Sequence, residues 1–432
     1  MLSSWEHISL DYMPFALDLS RAFFSFRGFF MVEMLVMAVF FALSLLLLYR
    51  EGLLREPFRI LLAVTALLAA FGFRLLSLPH ETLDYQYFLA RWVDHFRVHG
   101  GFRALQDSVG NYNVPYLYFL AAFSYADYSD LYLIKYLSVA FDVLLAWSVM
   151  KLVGLFRRER DARLLAFCGT LLLPTVLLNG AYWGQCDSIY VALALLSIWC
   201  ALSDRPRLSL VLMALSFGFK LQAVFFMPVF FVLFASGRIR WRDMWIVPAS
   251  YLLSVLPAVA MGRPLLSTLT LYFDQADTVG SGLNYNSPSL FAFYRGYGDE
   301  ARLAKLGILA AFLFCAVLLA ILTLRHKGRD NRTLLLAFTL TAICVPLLLP
   351  HMHERYFYGA DVLAFVSAFL SVELLPLPFL CSFASLLGYH AYLRMRYLFP
   401  MSRGTLALLI AAALLVFGMI SRPGIEKNEK TS

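Results

Sequence analysis

Short polar clusters interrupt a strongly apolar chain, and their residue types are those of acid–base and anion-binding chemistry. In the segment LDYQYFLARW, Asp84 and Tyr85 follow an apolar stretch. A carboxylate beside an attacking hydroxyl can take up its proton, so Asp84 is a candidate general base. Asp84 could also cap the surface helix that the aromatic residues after it predict, and the sequence leaves both interpretations open.

The segment LLPHMHERYFY gives the strongest local signal, because it packs His351, His353, Glu354 and Arg355 between two apolar runs. Arginine offers phosphate a fixed fork of donors, so the cluster favours an anion site. The His-x-His pattern could also indicate a metal site, but no matching ligand set accompanies it. We therefore predict neither a metal nor another cofactor.

Two further clusters fall at the ends of short apolar stretches. AYWGQCDSIY contains Trp183, Gln185 and Asp187, which indicate either a capped tight turn or a ligand site. FGFKLQAVFF contains Lys220 and Gln222 between two half-length helices. That arrangement resembles the broken helices of ligand-binding membrane proteins, although a single lysine near a helix end can also extend to the lipid headgroups.

Three other features carry weaker signals. Arg74, near the end of an apolar span, could extend to the headgroups or reach a phosphate. Lys135 and Asp142 are seven residues apart on one helix face, which predicts a structural pair inside the protein. Asn284 and Asn286 lie in a long loop and could bind a sugar or simply be solvated.

The amino-acid composition indicates the class of protein in which these polar clusters occur. Of the 432 residues, 61% are hydrophobic and 15% are charged, which is too few charges for a soluble surface. This balance excludes a secreted enzyme, a cytosolic enzyme and a nucleic-acid-binding protein as descriptions of the whole chain. The net charge of +8 is then explained by basic cytoplasmic loops, and the six scattered cysteines by packing.

Hydropathy predicts an all-α polytopic membrane protein with about 11–13 transmembrane helices and interfacial helices in the first outer loop. No β-barrel alternation is present. The predicted spans lie near residues 29–49, 57–78, 131–153, 162–181, 187–202, 207–219, 222–236, 243–261, 303–324, 333–350, 356–373, 375–391 and 404–421.

Loop charge predicts the orientation of these spans. Short basic clusters near residues 157–163, 205–207, 238–242 and 325–332 should be cytoplasmic. The long loops 79–130 and 262–302, and the connections at 182–187, 220–222 and 351–355, should then share the outer face. Arg394, Arg396 and Arg403 fall on the same outer face and count against the last two crossings.

The order of these motifs resembles that of the GT-C class of membrane glycosyltransferases, in particular bacterial relatives of the second mannosyltransferase of GPI-anchor assembly. The resemblance covers about residues 74–361. Its motifs are LDYQYFLARW, NYNVPYLYFL, YWGQCDSIY, FKLQ, LNYNSPSLFAF and HMHERYFYGAD. One departure is Asn113-Val114-Pro115, where the family often has Tyr-Pro-Pro.

The resemblance implies transfer of a sugar, mannose in that family, from a polyprenyl-phosphate donor to a lipid- or glycan-linked acceptor hydroxyl. Asp84 matches the acidic residue that acts as base. The expected setting is a bilayer, specifically the outer face of a bacterial plasma membrane. We expect Arg355, His353, Lys220 and Arg74 to bind the donor phosphate. We expect the sugar and acceptor to contact Tyr85, Trp183, Gln185, Asp187, Gln222, His351, Glu354, Asn284 and Asn286.

The same reasoning divides the chain into three parts. Residues 1–28 form an N-terminal interfacial segment, residues 29–374 the catalytic transmembrane region, and residues 375–432 C-terminal helices with a cytoplasmic tail. Two alternatives for function stay open. A flippase or transporter of lipid-linked saccharides should show internal repeats and charges at mid-depth. A glycan polymerase or ligase would share the chemistry and differ in its acceptor.

Overall fold

The computed structural model describes residues 19–278 and 282–421. Residues 1–18 of the expected N-terminal segment and residues 422–432 of the expected tail lie outside this description. The α-helices, numbered in chain order, are α1 Leu19–Arg50, α2 Pro57–Ser77, α3 Ala90–Val98, α4 Val114–Phe123, α5 Asp130–Val153, α6 Arg160–Leu172, α7 Pro174–Leu177, α8 Asp187–Leu202, α9 Pro206–Phe219, α10 Met227–Ala235, α11 Ile246–Ala260, α12 Leu265–Thr278, α13 Glu300–Leu324, α14 Asn331–Leu348, α15 Tyr358–Ala368, α16 Leu377–Leu393 and α17 Met401–Ile420.

The predicted class is confirmed: the protein is an all-α integral membrane protein. Among the described residues, eight helices are long and apolar enough to cross a bilayer. Counted as one element, Arg160–Leu172 and Pro174–Trp183 make a ninth; the pair is bent by 45° at the break, since proline cannot continue the hydrogen-bonding of α6. The four predicted spans that remain coincide with the shorter helices α8, α9, α10 and α15. The predicted span near residues 375–391 contains α16, which tolerates Pro376 at its N-cap and Pro378 in its first turn.

The short helices occupy the middle of the bundle. Their side chains form one large buried core with α14, represented by Leu195, Phe230, Phe338 and Val362. Because protein surrounds these helices, they do not need the length that contact with lipid demands.

The arginine-rich connections meet at one end of the bundle, as their charge predicts. There Glu51 accepts hydrogen bonds from Lys151, at 3.1 Å, and from Arg163. Arg157 Nε donates to the carbonyl of Phe369 at 2.8 Å. The polar clusters lie at the opposite end.

The first long loop carries helical elements, as predicted. A π-helical turn, Tyr85–Leu89, leads into α3, which buries Val93 and Phe96. Asn113 caps α4 by accepting a hydrogen bond from the Val114 amide at 2.8 Å. The second long loop holds α12, which the sequence did not predict, and strand β1, Asn284–Tyr285. Strand β1 pairs in parallel with β2, Met352–His353.

Two predictions about buried charges are wrong. Lys135 does not pair with Asp142; its ammonium donates to the carbonyls of Ser77 and Leu78, both at 2.9 Å, at the end of α2. A cation there stabilises the negative end of the helix dipole. Asp142 instead pairs with Arg74 NH2 at 2.9 Å, and both side chains are fully buried. Arg74 is therefore a structural residue, which corrects the expectation that it binds the donor phosphate.

Replacing Arg74 with alanine should destabilise the protein strongly. The change leaves the Asp142 carboxylate buried without its cation, which costs roughly 3–5 kcal/mol. We expect a clear fall in the thermal unfolding midpoint in detergent. The control is Asp161→Ala, which breaks an exposed pair with Arg59 and should barely move the midpoint because water screens that pair. Equal midpoints for wild type and Arg74→Ala would contradict the structural assignment.

Candidate active site

Asp84 lies at the centre of the polar end of the bundle. Its Oδ2 accepts hydrogen bonds from Trp183 Nε1 at 2.8 Å, Gln185 Nε2 at 2.6 Å and Arg355 NH1 at 2.8 Å. Its Oδ1 accepts one from the Tyr392 hydroxyl at 2.6 Å. The side chain makes no capping bond to the helix that follows. The helix-cap interpretation of Asp84 is therefore wrong.

These donors determine the protonation state of Asp84. Burial raises the pKa of its carboxyl, but the charge of Arg355 and the hydrogen bonds from Tyr392 and Trp183 together leave that pKa below its usual value. Asp84 is consequently an anion at neutral pH, and 16% of its side chain is exposed.

A sharp turn presents Trp183 and Gln185 to Asp84. The π-helical turn Leu178–Trp183 ends at Gly184, whose φ of 82° lies in the left-handed region that glycine adopts at little cost. Thr82 donates to the Trp183 carbonyl at 3.0 Å and so ties the loop after α2 to this turn. The backbone, not side-chain packing alone, sets the spacing between Trp183, Gln185 and the carboxylate.

The paired strands β1 and β2 hold the loop that carries Arg355. His353 stacks on Tyr285 across the strand pair, with 4.8 Å between ring centroids. The Arg355 guanidinium lies 5.1 Å from the centroid of the Trp183 ring. Burial lowers the pKa of Arg355, but Glu354 and Asp84 outweigh it and raise that pKa well above its ordinary value. Arg355 therefore carries a permanent positive charge.

Lys220 supplies the second cation of the site. It lies between α9 and a 3₁₀ turn, Leu221–Phe226, and its ammonium forms an ion pair with Asp187. Asn179 also donates to Asp187, at 2.7 Å. The ammonium lies 5.5 Å from the centroid of the Tyr112 ring. Arg355 Nε also lies 3.9 Å from Asp187 Oδ2, so the two cations and the carboxylates of Asp84 and Asp187 form one electrically balanced cluster.

A cavity of about 580 Å³ opens between these elements, a volume ordinary for a ligand site. Most of the predicted site residues line it: Asp84, Gln185, Lys220, Gln222, His351, His353, Glu354 and Arg355. Trp183 and Asp187 do not line the cavity, and they contact the residues that do. The remaining wall is largely aromatic and apolar: Phe88, Leu89, Trp92, Tyr112, Phe219, Phe225, Tyr272 and Tyr356.

Burial shifts the pKa values of both His353 and Glu354 away from their ordinary values. Burial and the charge of Arg355 lower the pKa of His353 to about 4, so its ring is neutral at pH 7. His353 can donate one N–H to a phosphate but brings it no charge. Burial raises the pKa of Glu354 to about 7.

Besides Arg74, Trp183 and Asp187, three predicted residues do not line this cavity. Tyr85 is partly buried and packs against the apolar cluster that contains Val93 and Phe96 of α3. Asn284 and Asn286 line a second cavity of about 590 Å³, together with Tyr294, Tyr397 and Phe399. Asn286 accepts a hydrogen bond from Tyr397 at 2.5 Å, and Asn284 bonds to the backbone of Ser287.

Sequence reasoning missed Tyr392, which binds Asp84 from the C-terminal region. Tyr389 and Tyr392 are three residues apart on α16, so both rings face Trp183. Their ring centroids lie 5.2 Å and 4.6 Å from that of Trp183. Two tyrosines at this spacing near the outer end of a predicted span were the available signal.

Within residues 19–278 and 282–421, no group of three or more His, Cys, Asp or Glu side chains could hold a metal ion. The polar residues of the cavity instead place the ionised carboxylate of Asp84 beside the cations Arg355 and Lys220, at one end of a membrane-embedded bundle. Such a site can take a proton from a hydroxyl and hold a phosphate.

The fold and this site define a polytopic membrane enzyme of group transfer. The chain belongs to glycosyltransferase family 87, whose family model matches residues 111–350, more than half of its length. No curated protein matches the sequence. The protein is therefore a membrane glycosyltransferase. Trp183, Gln185, Asp187 and Lys220 fall inside the matched segment, whereas Asp84, Arg355 and Tyr392 lie outside it.

Replacing Tyr392 with phenylalanine should move the acid limb of the pH profile of sugar transfer to higher pH. The change removes the only hydrogen bond to Asp84 Oδ1 among the described residues, so the pKa of the carboxyl rises and the ionised form is lost sooner on acidification. The matched control is Tyr389→Phe on the same helix, whose hydroxyl bonds Asn179 at 3.2 Å. A shift in the control alone would contradict this role for Tyr392.

Proposed function

We propose that the enzyme transfers a sugar, most simply mannose, from a polyprenyl-phosphate donor to an acceptor hydroxyl, with Asp84 as the general base. One observation carries the proposal. Asp84, Arg355 and Lys220 converge on one cavity from segments far apart in sequence. Inverting transfer needs a base at the attacking hydroxyl and positive charge at the leaving phosphate, and this cavity offers both.

The hydrogen bonds of Asp84 support its role as base. A carboxylate has about four lone-pair positions, two on each oxygen. Oδ2 accepts three bonds, whereas Oδ1 accepts one, from Tyr392. Oδ1 therefore has a position for the acceptor hydroxyl, whose proton it takes as the sugar bond forms.

The charge balance supports an exchange of partners when the donor binds. Arg355 already faces Asp84, so a phosphate must draw the guanidinium away from that carboxylate or share it. The buried Arg355 Nε makes no hydrogen bond within the described structure, because its nearest carboxylate oxygen, Asp187 Oδ2, is 3.9 Å away; in this proposal Nε donates to a phosphate oxygen. As Arg355 turns to the phosphate, the pKa of Asp84 rises and Asp84 becomes a better base.

The cavity wall suits a lipid-borne donor. Its apolar lining includes Phe88 and Val224, which are 50% and 37% exposed. A prenyl chain can leave the cavity past these residues into the bilayer. Since Arg355 and Lys220 carry the phosphate charge, the proposed mechanism needs no metal.

The reacting hydroxyl of the acceptor lies beside Asp84 in the first cavity, and we place the rest of the acceptor saccharide in or near the second cavity, where Asn284, Asn286 and several aromatic rings match its stacking and hydrogen-bonding needs. The arginine-rich end is the cytoplasmic end by the positive-inside rule, so the site faces outward from a bacterial plasma membrane. In this proposal the catalytic unit extends past residue 374, because Tyr392 binds the base.

Asp84→Asn should reduce transfer by roughly 10²–10⁴-fold, the usual contribution of a general base. The amide keeps the shape of the side chain but cannot take a proton; because it also holds Arg355 less strongly, donor binding should be kept or become tighter. The measurement is transfer of label from radiolabelled polyprenyl-phosphate-mannose by the purified enzyme. Asp94→Asn, an exposed carboxylate in the same loop, is the matched control. Near wild-type transfer by Asp84→Asn would mean that the base is misassigned.

Arg355→Ala should weaken donor binding as well as transfer, because the guanidinium meets the phosphate before and during reaction. Loss of a charged hydrogen-bond partner from a buried site costs roughly 2–5 kcal/mol, or a rise of 30-fold or more in the donor Kd. Equilibrium binding of the labelled donor measures it. Arg355→Lys keeps the charge without the fork and should fall between wild type and alanine.

A flippase of lipid-linked saccharides is set aside, because the chain belongs to a glycosyltransferase family. The remaining alternative gives a different result with the same donor. Transfer that repeats on its own product would favour a polymerase. A single transfer to one acceptor supports the proposal.

A further inference from the structure

One carboxyl group in the first cavity has no counter-ion of its own. Glu354 lines the cavity and is 2% exposed. Its Oε1 lies 3.7 Å from Arg355 NH1, and its Oε2 lies 3.8 Å from His353 Nδ1. Both distances exceed a hydrogen bond. Within the described residues, the Glu354 carboxyl forms no hydrogen bond with another side chain; it accepts one from the backbone of Glu354, and its remaining hydrogen-bonding positions can serve a molecule in the cavity that Glu354 lines.

Packing fixes the position of this carboxyl. Glu354 lies against Gly388 of α16, where an added Cβ would come within 2.9 Å of the Glu354 Cβ. The close contact leaves the Glu354 backbone little freedom to shift. The side chain therefore stays beside Arg355, where the donor phosphate is proposed to bind.

The charged and titratable groups around Glu354 come from every surrounding element. Arg355, His353 and Tyr356 belong to its own loop, Asp84 follows α2, Asp187 begins α8, and Tyr392 ends α16. Arg355 faces Asp84, and Lys220 faces Asp187. An ionised Glu354 would thus add an unbalanced negative charge to a site that must accept a phosphate.

We propose that Glu354 binds the donor as a neutral carboxylic acid, donating its O–H to a phosphoryl oxygen held by Arg355. Two anionic oxygens on one buried guanidinium repel each other, and a shared proton removes that repulsion. The proton enters from solvent as the donor binds and leaves with the released phosphate, and no covalent bond to Glu354 forms. This inference rests on the proposed function, since it assumes a phosphate-linked donor.

The inference predicts the direction of the pH dependence of donor binding. Burial raises the pKa of free Glu354 to about 7, so the free site loses this proton above neutrality while the complex keeps it. Affinity must then fall as pH rises, by about tenfold per pH unit well above that pKa. His353, with a pKa near 4, and Asp84, with a lowered pKa, do not titrate between pH 6 and pH 9.

The test measures the Kd of a short-chain prenyl phosphomannose for the purified full-length enzyme without acceptor, at pH 6 and pH 9. This probe is a phosphodiester, so its own charge is constant over the range. For the wild type we expect Kd to rise roughly 100-fold. Glu354→Gln keeps a neutral donor group and should bind at pH 6 about as the wild type does, with little change at pH 9.

Two further variants make the test decisive. Glu354→Ala should be weaker at pH 6 than the wild type and also insensitive to pH, because it has neither the proton nor the donor group. Glu300→Gln, an exposed glutamate at the start of α13, should follow the wild type.

Each contrary outcome has a distinct meaning. A wild-type Kd that does not change with pH, or a Glu354→Gln variant that keeps the wild-type pH dependence, would overturn the role of Glu354 and leave the proposed transfer intact. A wild type that neither binds nor turns over the prenyl phosphomannose at pH 6 would overturn the proposed function itself, and this inference with it.

Discussion

The contact between Asp84 and Arg355 is the constraint on which the polar end of the molecule depends. Each side chain is about 15% exposed, so each has left most of its water and must be compensated by protein. Arg355 alone does not replace the water that Asp84 has lost, so Asp84 also accepts hydrogen bonds from Trp183, Gln185 and Tyr392. The loops after α2, α7 and α14 and the end of α16 must therefore converge. The cavity is the space that remains between them.

Much of this architecture could be predicted from sequence, because a membrane-spanning helix and the ionisable residues at its ends can each be recognised from a short continuous segment of the chain. A span needs a continuous apolar stretch, and an ionisable residue beside one is rare enough to be informative. These criteria identify Asp84, Lys220 and Arg355, and all three line one cavity. Loop charge likewise predicts that the connections carrying them lie at one end of the bundle.

The partners of the buried charges could not be predicted. Spacing along a helix shows which residues share a face of that helix, but it does not show which other helix packs against that face. Lys135 and Asp142 do share a face of α5, yet Lys135 meets the carbonyl end of α2 and Asp142 meets Arg74. Tyr392 contacts a carboxylate 308 positions earlier in the chain. Such contacts depend on how the helices are ordered around the bundle, and hydropathy carries no information about that order.

The two-residue strand pair has a mechanical consequence. Asn284 and Tyr285 are hydrogen-bonded partners of Met352 and His353, and Asn286 bridges to His353 as well. The wall of the second cavity and the backbone that carries Arg355 are therefore one connected piece. A molecule that displaces residues 284–286 also moves the backbone of His353, two residues before Arg355. The strand pair therefore gives the two cavities a common wall, through which a displacement at the second can reach the loop that carries Arg355.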